Sequence, residues 1–272
     1  MGLTTVQMFG YNENLVSVIF MQSMILPEGF ALSGSRSAPE GFALSRSRFA
    51  RTHVESALSE RFPSPFTDID RRVFESVPTG IAPLDALTGG LPRGAITEIF
   101  GPPSSGRTSA MVSILVEAIA GDEICALVDG NDAFDPKSAA AAGLELRRLL
   151  WVRCHKLDQV LKSTDLLLQG GGFGRVVMDL TDLPLPHVQS IPLASWFRFQ
   201  RTIEKTPTAL VVMSPDSTVK SAAALVLRMQ MRNSEWTTFL NGLNSNVEIV
   251  RSRKPRSLKS HVRVHLHSEC VR

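Results

Sequence analysis

Gly101-Pro102-Pro103-Ser104-Ser105-Gly106-Arg107-Thr108-Ser109 decides how the rest of this sequence is read. It follows Ala95-Ile96-Thr97-Glu98-Ile99-Phe100, an apolar run of strand length, and precedes Ala110-Met111-Val112-Ser113-Ile114-Leu115-Val116, which reads as helix. Strand, glycine loop, helix is the order a phosphate-binding loop requires. Glycines let backbone N–H groups wrap an anion, the helix N-terminus adds partial positive charge, and the Thr108 hydroxyl is placed to hold Mg²⁺. The pattern G-x-x-x-x-G-K-[ST] asks for lysine where Arg107 stands. A guanidinium keeps the charge but replaces a point donor by a planar fork, so binding is expected to survive better than hydrolysis. A Gly/Ser-rich turn without ligand is the competing reading of this stretch taken alone.

Beyond the loop, strand and helix patterns alternate. Strands are predicted over 124–128, 149–152, 175–178, 209–213, 225–231, 247–250 and 262–266, and helices over 108–120, 136–142, 157–169 and 195–204. This alternation predicts an α/β fold with a mostly parallel central sheet flanked by helices. The last two strands follow no helix and predict a C-terminal antiparallel β extension. Arg251, Arg253, Lys254, Arg256 and Lys259 crowd the turn between them. Trp196-Phe197-Arg198-Phe199 on the last helix reads as core, with a partner surface or base-stacking platform as the competing reading.

Upstream, Pro27-Glu28-Gly29-Phe30-Ala31-Leu32-Ser33 recurs at Pro39-Glu40-Gly41-Phe42-Ala43-Leu44-Ser45 within a duplicated segment of 12 residues. Two copies are too few to stack as a solenoid, so residues 1–48 read as a flexible arm. Residues 49–76 read as an N-terminal helix, over 49–62, and a linker, with the helix a candidate subunit contact. Residues 77–272 read as the nucleotide-binding core.

The composition, 43% hydrophobic and 20% charged over 272 residues, is that of a soluble globular protein. A net charge of +3 permits nucleic-acid binding without demanding it. Cys125, Cys154 and Cys270 lack metal-ligand spacing and predict reduced thiols in a cytoplasmic protein. There is no apolar run long enough to span a membrane and no secretory signal pattern.

Nucleotide hydrolysis needs two further groups: a carboxylate that organises Mg²⁺ at a neighbouring strand end, and a group that orients the attacking water. Asp179, after Arg175-Val176-Val177-Met178, suits the first role, against a competing reading as a helix cap or surface residue. For the second, Asp129 is followed by Gly130-Asn131-Asp132. Asn131 cannot accept a proton, and Asp132 serves only where the backbone delivers it.

Residues 76–180 resemble the ATPase core of the RecA recombinase family. The resemblance rests on Pro78-Thr79-Gly80, Leu84-Asp85, Gly90-Leu91-Pro92, Gly94, the loop Gly101 to Thr108, Cys125-Ala126-x-x-Asp129 and Ala133-x-Asp135-Pro136. It implies ATP and Mg²⁺ as cofactors. Gly101, Ser104, Ser105, Gly106, Arg107, Thr108 and Ser109 would cradle phosphate, Thr108 and Asp179 would serve the metal, and Asp135 would contact adenine. Asn131 stands where the family has its catalytic glutamate, Ser138 where it has a base-stacking tyrosine, and Ser214 where it has a nucleotide-sensing glutamine. Arg251 and Arg253 match two lysines that reach a neighbouring subunit's ATP site, which implies a homo-oligomer; a solvated basic hairpin is the competing reading. The stretches 180–194 and 214–224 are too short for the family's mobile DNA-binding loops.

Among relatives, the shortened form most resembles the ImuA-type accessory proteins of error-prone, damage-induced translesion synthesis. That implies DNA-repair partners such as an ImuB-like polymerase homologue or RecA, with single-stranded DNA a further candidate. An active single-stranded-DNA-dependent recombinase and a SulA-like protein-interaction module are the two alternatives.

Overall fold

Both faces of the central strands are buried, and their side chains divide between the faces with the period of two that a pleat imposes. The structure, a computed structural model, describes residues 5–8, 75–236, 240–253 and 260–267. Its strands in chain order are β1 (Thr5–Met8), β2 (Ser76–Val77), β3 (Leu91–Pro92), β4 (Ile96–Phe100), β5 (Cys125–Asp129), β6 (Leu149–Arg153), β7 (Arg175–Asp179), β8 (Ala209–Ser214), β9 (Leu225–Trp236), β10 (Leu240–Ser252) and β11 (His261–His267). The helices are α1 (Ala82–Thr88), α2 (Arg107–Ala120), α3 (Pro136–Ala141), α4 (Leu157–Gly170), α5 (Leu185–Gln189) and α6 (Leu193–Ile203).

One sheet runs in the order β1-β6-β5-β7-β8-β4-β9-β10-β11. The pairs from β6 across to β9 are parallel, whereas β9–β10, β10–β11 and β1–β6 are antiparallel. The expected fold class is what forms: a mostly parallel α/β sheet with an antiparallel C-terminal extension. Leu127, Val177 and Val211 face Met111, Ile114, Leu115 and Ala118, the apolar stripe of α2. Val128, Val176, Met178, Leu210 and Val212 face the other way, against Val160, Leu167 and Leu168 of α4 and Trp196, Phe199 and Ile203 of α6. Trp196 and Phe199 are fully buried, their rings edge to face at 6.0 Å. They are core; Phe197 and Arg198 between them are exposed.

At the amino ends of the strands, Arg175 is buried and donates to Ile114 O at 2.6 Å and Pro78 O at 2.8 Å. Desolvation lowers its pKa, and Glu123, itself paired with Arg93, supplies the opposing charge.

Two features exceed the sequence expectation. Strands β9 and β10 run well past their apolar centres, because backbone pairing continues through Asn233–Glu235 and Leu243–Asn246 with three register shifts between them. Helices α1 and α5 are additional to the expected ones. Each carries proline in its first turn, where a missing N–H costs nothing, although proline in a sequence reads first as a breaker. Within residues 1–48 the described part is β1, an edge strand on β6. The expected helix over 49–62 and the basic turn at 254–259 lie outside the described residues. Among the described residues no helix is long and apolar enough to cross a membrane.

Candidate nucleotide site

The four strands β5, β7, β8 and β4 lie side by side, and their register aligns Asp129 with Asp179, Asp179 with Met213, and Ser214 with Phe100. Asp129, Asp179, Ser214 and the loop after Phe100 therefore form a row at the carboxyl edge of the parallel sheet. Open α/β sheets bind ligands at this edge, where successive strands part.

The loop from Gly101 to Gly106 has an open and a closed side. Pro102, Pro103, Ser104, Thr108 and Ser109 are exposed, while Gly101, Ser105, Gly106 and Arg107 are buried. Gly106, the residue capping α2, has φ +90°, and a Cβ there would meet Leu266 Cδ1 at 2.5 Å, Ser245 Oγ at 3.1 Å and Leu243 Cδ2 at 3.2 Å. A Cβ on Gly101 would run into the Met229 carbonyl oxygen. Ser245 Oγ donates to Ser105 O at 2.7 Å. Strands β9, β10 and β11 thus press on the loop from one side, and self-packing alone requires glycine at both positions. On the open side the exposed hydroxyls of Ser104, Thr108 and Ser109 have room for an anion. The Ser105 hydroxyl is buried without a hydrogen-bond partner, on the closed side of the loop near Gly101.

Arg107 turns inward. It is only 6% exposed, and its Nη1 donates to Ser214 O at 2.6 Å. The same carbonyl accepts the Gly101 N–H at 3.4 Å. Desolvation lowers the guanidinium pKa, opposed by the charges of Asp179 and Asp182. Asp179 accepts the Thr181 N–H at 2.9 Å, and burial, reinforced by Asp129 and Asp182, pushes its carboxyl above the usual range. Thr108, on the exposed side of the loop, and Asp179, at the end of β7, are the residues that would hold Mg²⁺ arriving with a nucleotide.

Asp129 is buried and organises the next loop, accepting from Asn131 N, Ala133 N, Phe134 N and Trp151 Nε1 at 2.9 to 3.2 Å. Asn131 is exposed. Asp132, at φ +56°, is held by a two-pronged Arg153 pair, with Nε and Nη2 both at 2.5 Å. The Arg153 hydrogen bonds depress the Asp132 pKa, so the carboxylate there is a weak base. A depressed folded pKa stabilises the fold above the unfolded carboxylate value, and that contribution is lost as pH falls through the folded one. Asp132→Asn is accordingly expected to lower the melting temperature slightly at neutral pH, with the difference from wild type vanishing in acid. Asp135 caps α3, accepting from Lys137 N at 3.1 Å, Ser138 N at 3.2 Å and the Ser138 hydroxyl.

Sequence reading does not single out Glu98. This residue is fully buried in β4, and its carboxylate accepts from Ser214 Oγ at 3.4 Å, Ser217 Oγ at 2.9 Å, Thr218 N at 2.6 Å, Thr218 Oγ1 at 3.1 Å and Val219 N at 3.0 Å. It nails down the connection from β8 to β9, whose Val219, Ala222 and Ala223 are buried. A signal for it exists in the sequence: a charged residue inside an otherwise apolar strand must find partners. Arg251 donates to Ala223 O at 3.2 Å and Arg253 to Ser221 O at 2.9 Å, at the other end of that connection. Ser252 pairs with Leu225, whereas Ser245 touches the loop; at about 3.3 Å per residue the two lie roughly 20 Å apart along β10. The two arginines are therefore remote from the phosphate loop of their own chain.

Burial pushes the Cys125 thiol up to about 12 and the Cys154 thiol up to about 11, so neither serves as a nucleophile.

Residues 65–188 match the family of the RecA N-terminal domain. The RecA protein of Symbiobacterium thermophilum is 38% identical over 117 residues, which are 42% of this chain and 33% of that protein. That of Brucella anthropi is 41% identical over 107 residues, 39% of this chain and 30% of the relative. For Rubrobacter xylanophilus the figures are 36% over 116 residues, 42% and 34%. The chain spans about a third of the length of the curated relatives it matches. The matched segment runs from before β2 to α5, taking in the loop, Asp129 and Asp179, and on that footing the chain contains a RecA-family core.

Proposed function

We propose that this chain is a RecA-like nucleotide-binding protein of DNA repair. Its role is that of an ImuA-like accessory factor in error-prone translesion synthesis during the SOS response, with little or no ATPase and no strand exchange. The observation that carries the reading is the inward Arg107, bound to Ser214 O. This one contact ties the loop's cation to the strand end where the family senses nucleotide, so neither end is free to signal to the other. Turnover lacks a base as well: Asn131 cannot accept a proton, and Asp132 is committed to Arg153. Strand exchange lacks a mobile loop, because the connection after β8 is short and fixed to Glu98.

In this reading the exposed rim of the loop takes ATP or another nucleotide, with the backbone and the Ser104, Thr108 and Ser109 hydroxyls as donors. Arg251 and Arg253 act only on a neighbouring copy. The partners are an ImuB-like polymerase homologue or RecA, with single-stranded DNA secondary. A SulA-like interaction module that binds no nucleotide is the second reading, favoured by the contact of Leu266 and Leu243 with Gly106.

Titration of the purified chain with a fluorescent ATP analogue, alongside a strand-exchange assay, separates these readings. Saturable binding without strand exchange is expected. Absence of binding turns the case to the interaction module, and efficient strand exchange would sink the accessory role.

A further inference from the structure

Helix α6 buries one side and leaves apolar side chains on the other. Trp196, Phe199 and Ile203 point into the core and are fully buried. The opposite side is not the polar face that a solvent-facing helix carries: Leu193 and Phe197, one turn apart, are 41% and 36% exposed. Leu185 in α5, just upstream, is 38% exposed, and Pro186 and Ala194 are exposed as well. Three of the five large hydrophobic side chains exposed among the described residues therefore fall within residues 185–197. Scattered singly such side chains need no explanation, whereas gathered in one stretch they mark a contact surface. The stretch is anchored from beneath by Val188 and Ile191, both buried.

The charge beside this surface is mostly positive. Helical spacing puts Arg198 and Arg201 next to Phe197 on the exposed side of α6, and Lys205 follows just past its end. Arg198 pairs with Asp165 of α4 at 3.2 Å, while Arg201 and Lys205 make no ion pair among the described residues. Asp182, before α5, is the exposed acid of this stretch.

We propose that α5 and the outer side of α6 form a docking surface for an amphipathic helix of a partner protein, its apolar side on Leu185, Leu193 and Phe197 and its acidic side chains against Arg198 and Arg201. A helix laid on an apolar stripe with charged flanks is a recurrent mode of recognition. A nucleic acid is the poorer match: Phe197 is the one exposed ring of this stretch on which a base could stack, and Arg198 beside it is already engaged by Asp165. The proposal goes beyond the nucleotide reading above and does not depend on it.

The test titrates two fluorescein-labelled peptides of about 16 residues into the full chain without nucleotide; both are helical with leucines along one face, and carry either glutamates or lysines on the flanks. The glutamate peptide is expected to bind at least about tenfold tighter than the lysine peptide. Leu193→Ser and Phe197→Ser should each weaken it about fivefold or more, and Arg201→Glu should reverse the preference between the two peptides. All three side chains are exposed, so the variants should melt within about two degrees of wild type. Where a serine variant melts lower than that, Arg201→Glu decides alone. Equal affinities for the two peptides, no binding of the glutamate peptide, or a preference that survives Arg201→Glu overturns the proposal. So does displacement of the bound peptide by oligothymidine at equal concentration, which assigns the surface to nucleic acid. Self-association of the chain that Phe197→Ser abolishes in sedimentation overturns it as well, by assigning the surface to a second copy.

Discussion

Glu98→Ala is expected to destabilise the fold by about 4 kcal/mol, at the upper end of what a single side-chain truncation costs. The carboxylate is fully buried and satisfies two backbone N–H groups and three hydroxyls of the segment from Ser214 to Val219. Alanine removes the acceptor but leaves the donors, and an unsatisfied buried donor costs about 1–3 kcal/mol. Glu98→Gln keeps one acceptor oxygen and is expected to lose about half as much. Urea denaturation followed by tryptophan fluorescence measures both, and equal losses for alanine and glutamine would show that the donors find other partners. The truncation should also free the connection after β8, seen as faster amide exchange at Thr218 and Val219. A loop that stays protected in Glu98→Ala would mean that Val219, Ala222 and Ala223 hold it by packing alone.

Gly101→Ala is the second large effect, expected to cost about 3 kcal/mol or more in the absence of any ligand. The added methyl meets the backbone carbonyl of Met229, which cannot swing aside as a side chain would, so β9 must move away from β4. Gly106→Ala should cost less: Leu266 Cδ1 can rotate, although φ +90° remains strained for alanine. If the glycines serve only an anion, the same substitutions lower affinity and leave the ligand-free melting temperature where it was. A ligand-free melt of Gly101→Ala distinguishes the two roles without requiring any nucleotide to bind.

Much of the architecture is legible in the sequence because the physics that sets it is local. Parallel strands buried on both faces read as continuous apolar runs, and α2, α4 and α6 carry apolar stripes at helical spacing, so β4 to β8 and their helices stand close to where the patterns put them. The hairpin is legible at its apolar centre but not in its length, since the outer thirds of β9 and β10 are held by backbone pairing that side-chain pattern does not report. In the site, position is legible and orientation is not. The spacing of the loop puts Arg107 at the first residue of α2, but only the fold places Ser214 O within 2.6 Å and turns the guanidinium away from the exposed rim. Likewise Asp129, which reads as a strand-end acid near a catalytic position, spends its carboxylate on the turn from Asn131 to Phe134. Glu98 escapes a sequence reading although its partners have to exist, because they lie more than a hundred residues downstream.

Phosphate release from ATP by the purified full chain, with and without single-stranded DNA, measures directly whether this phosphate loop still drives a catalytic cycle. Release indistinguishable from a protein-free blank, under conditions where the fluorescent analogue is bound, is the predicted result. Turnover stimulated by single-stranded DNA would contradict it, and would require Arg107 to leave Ser214 and reach the phosphate after all.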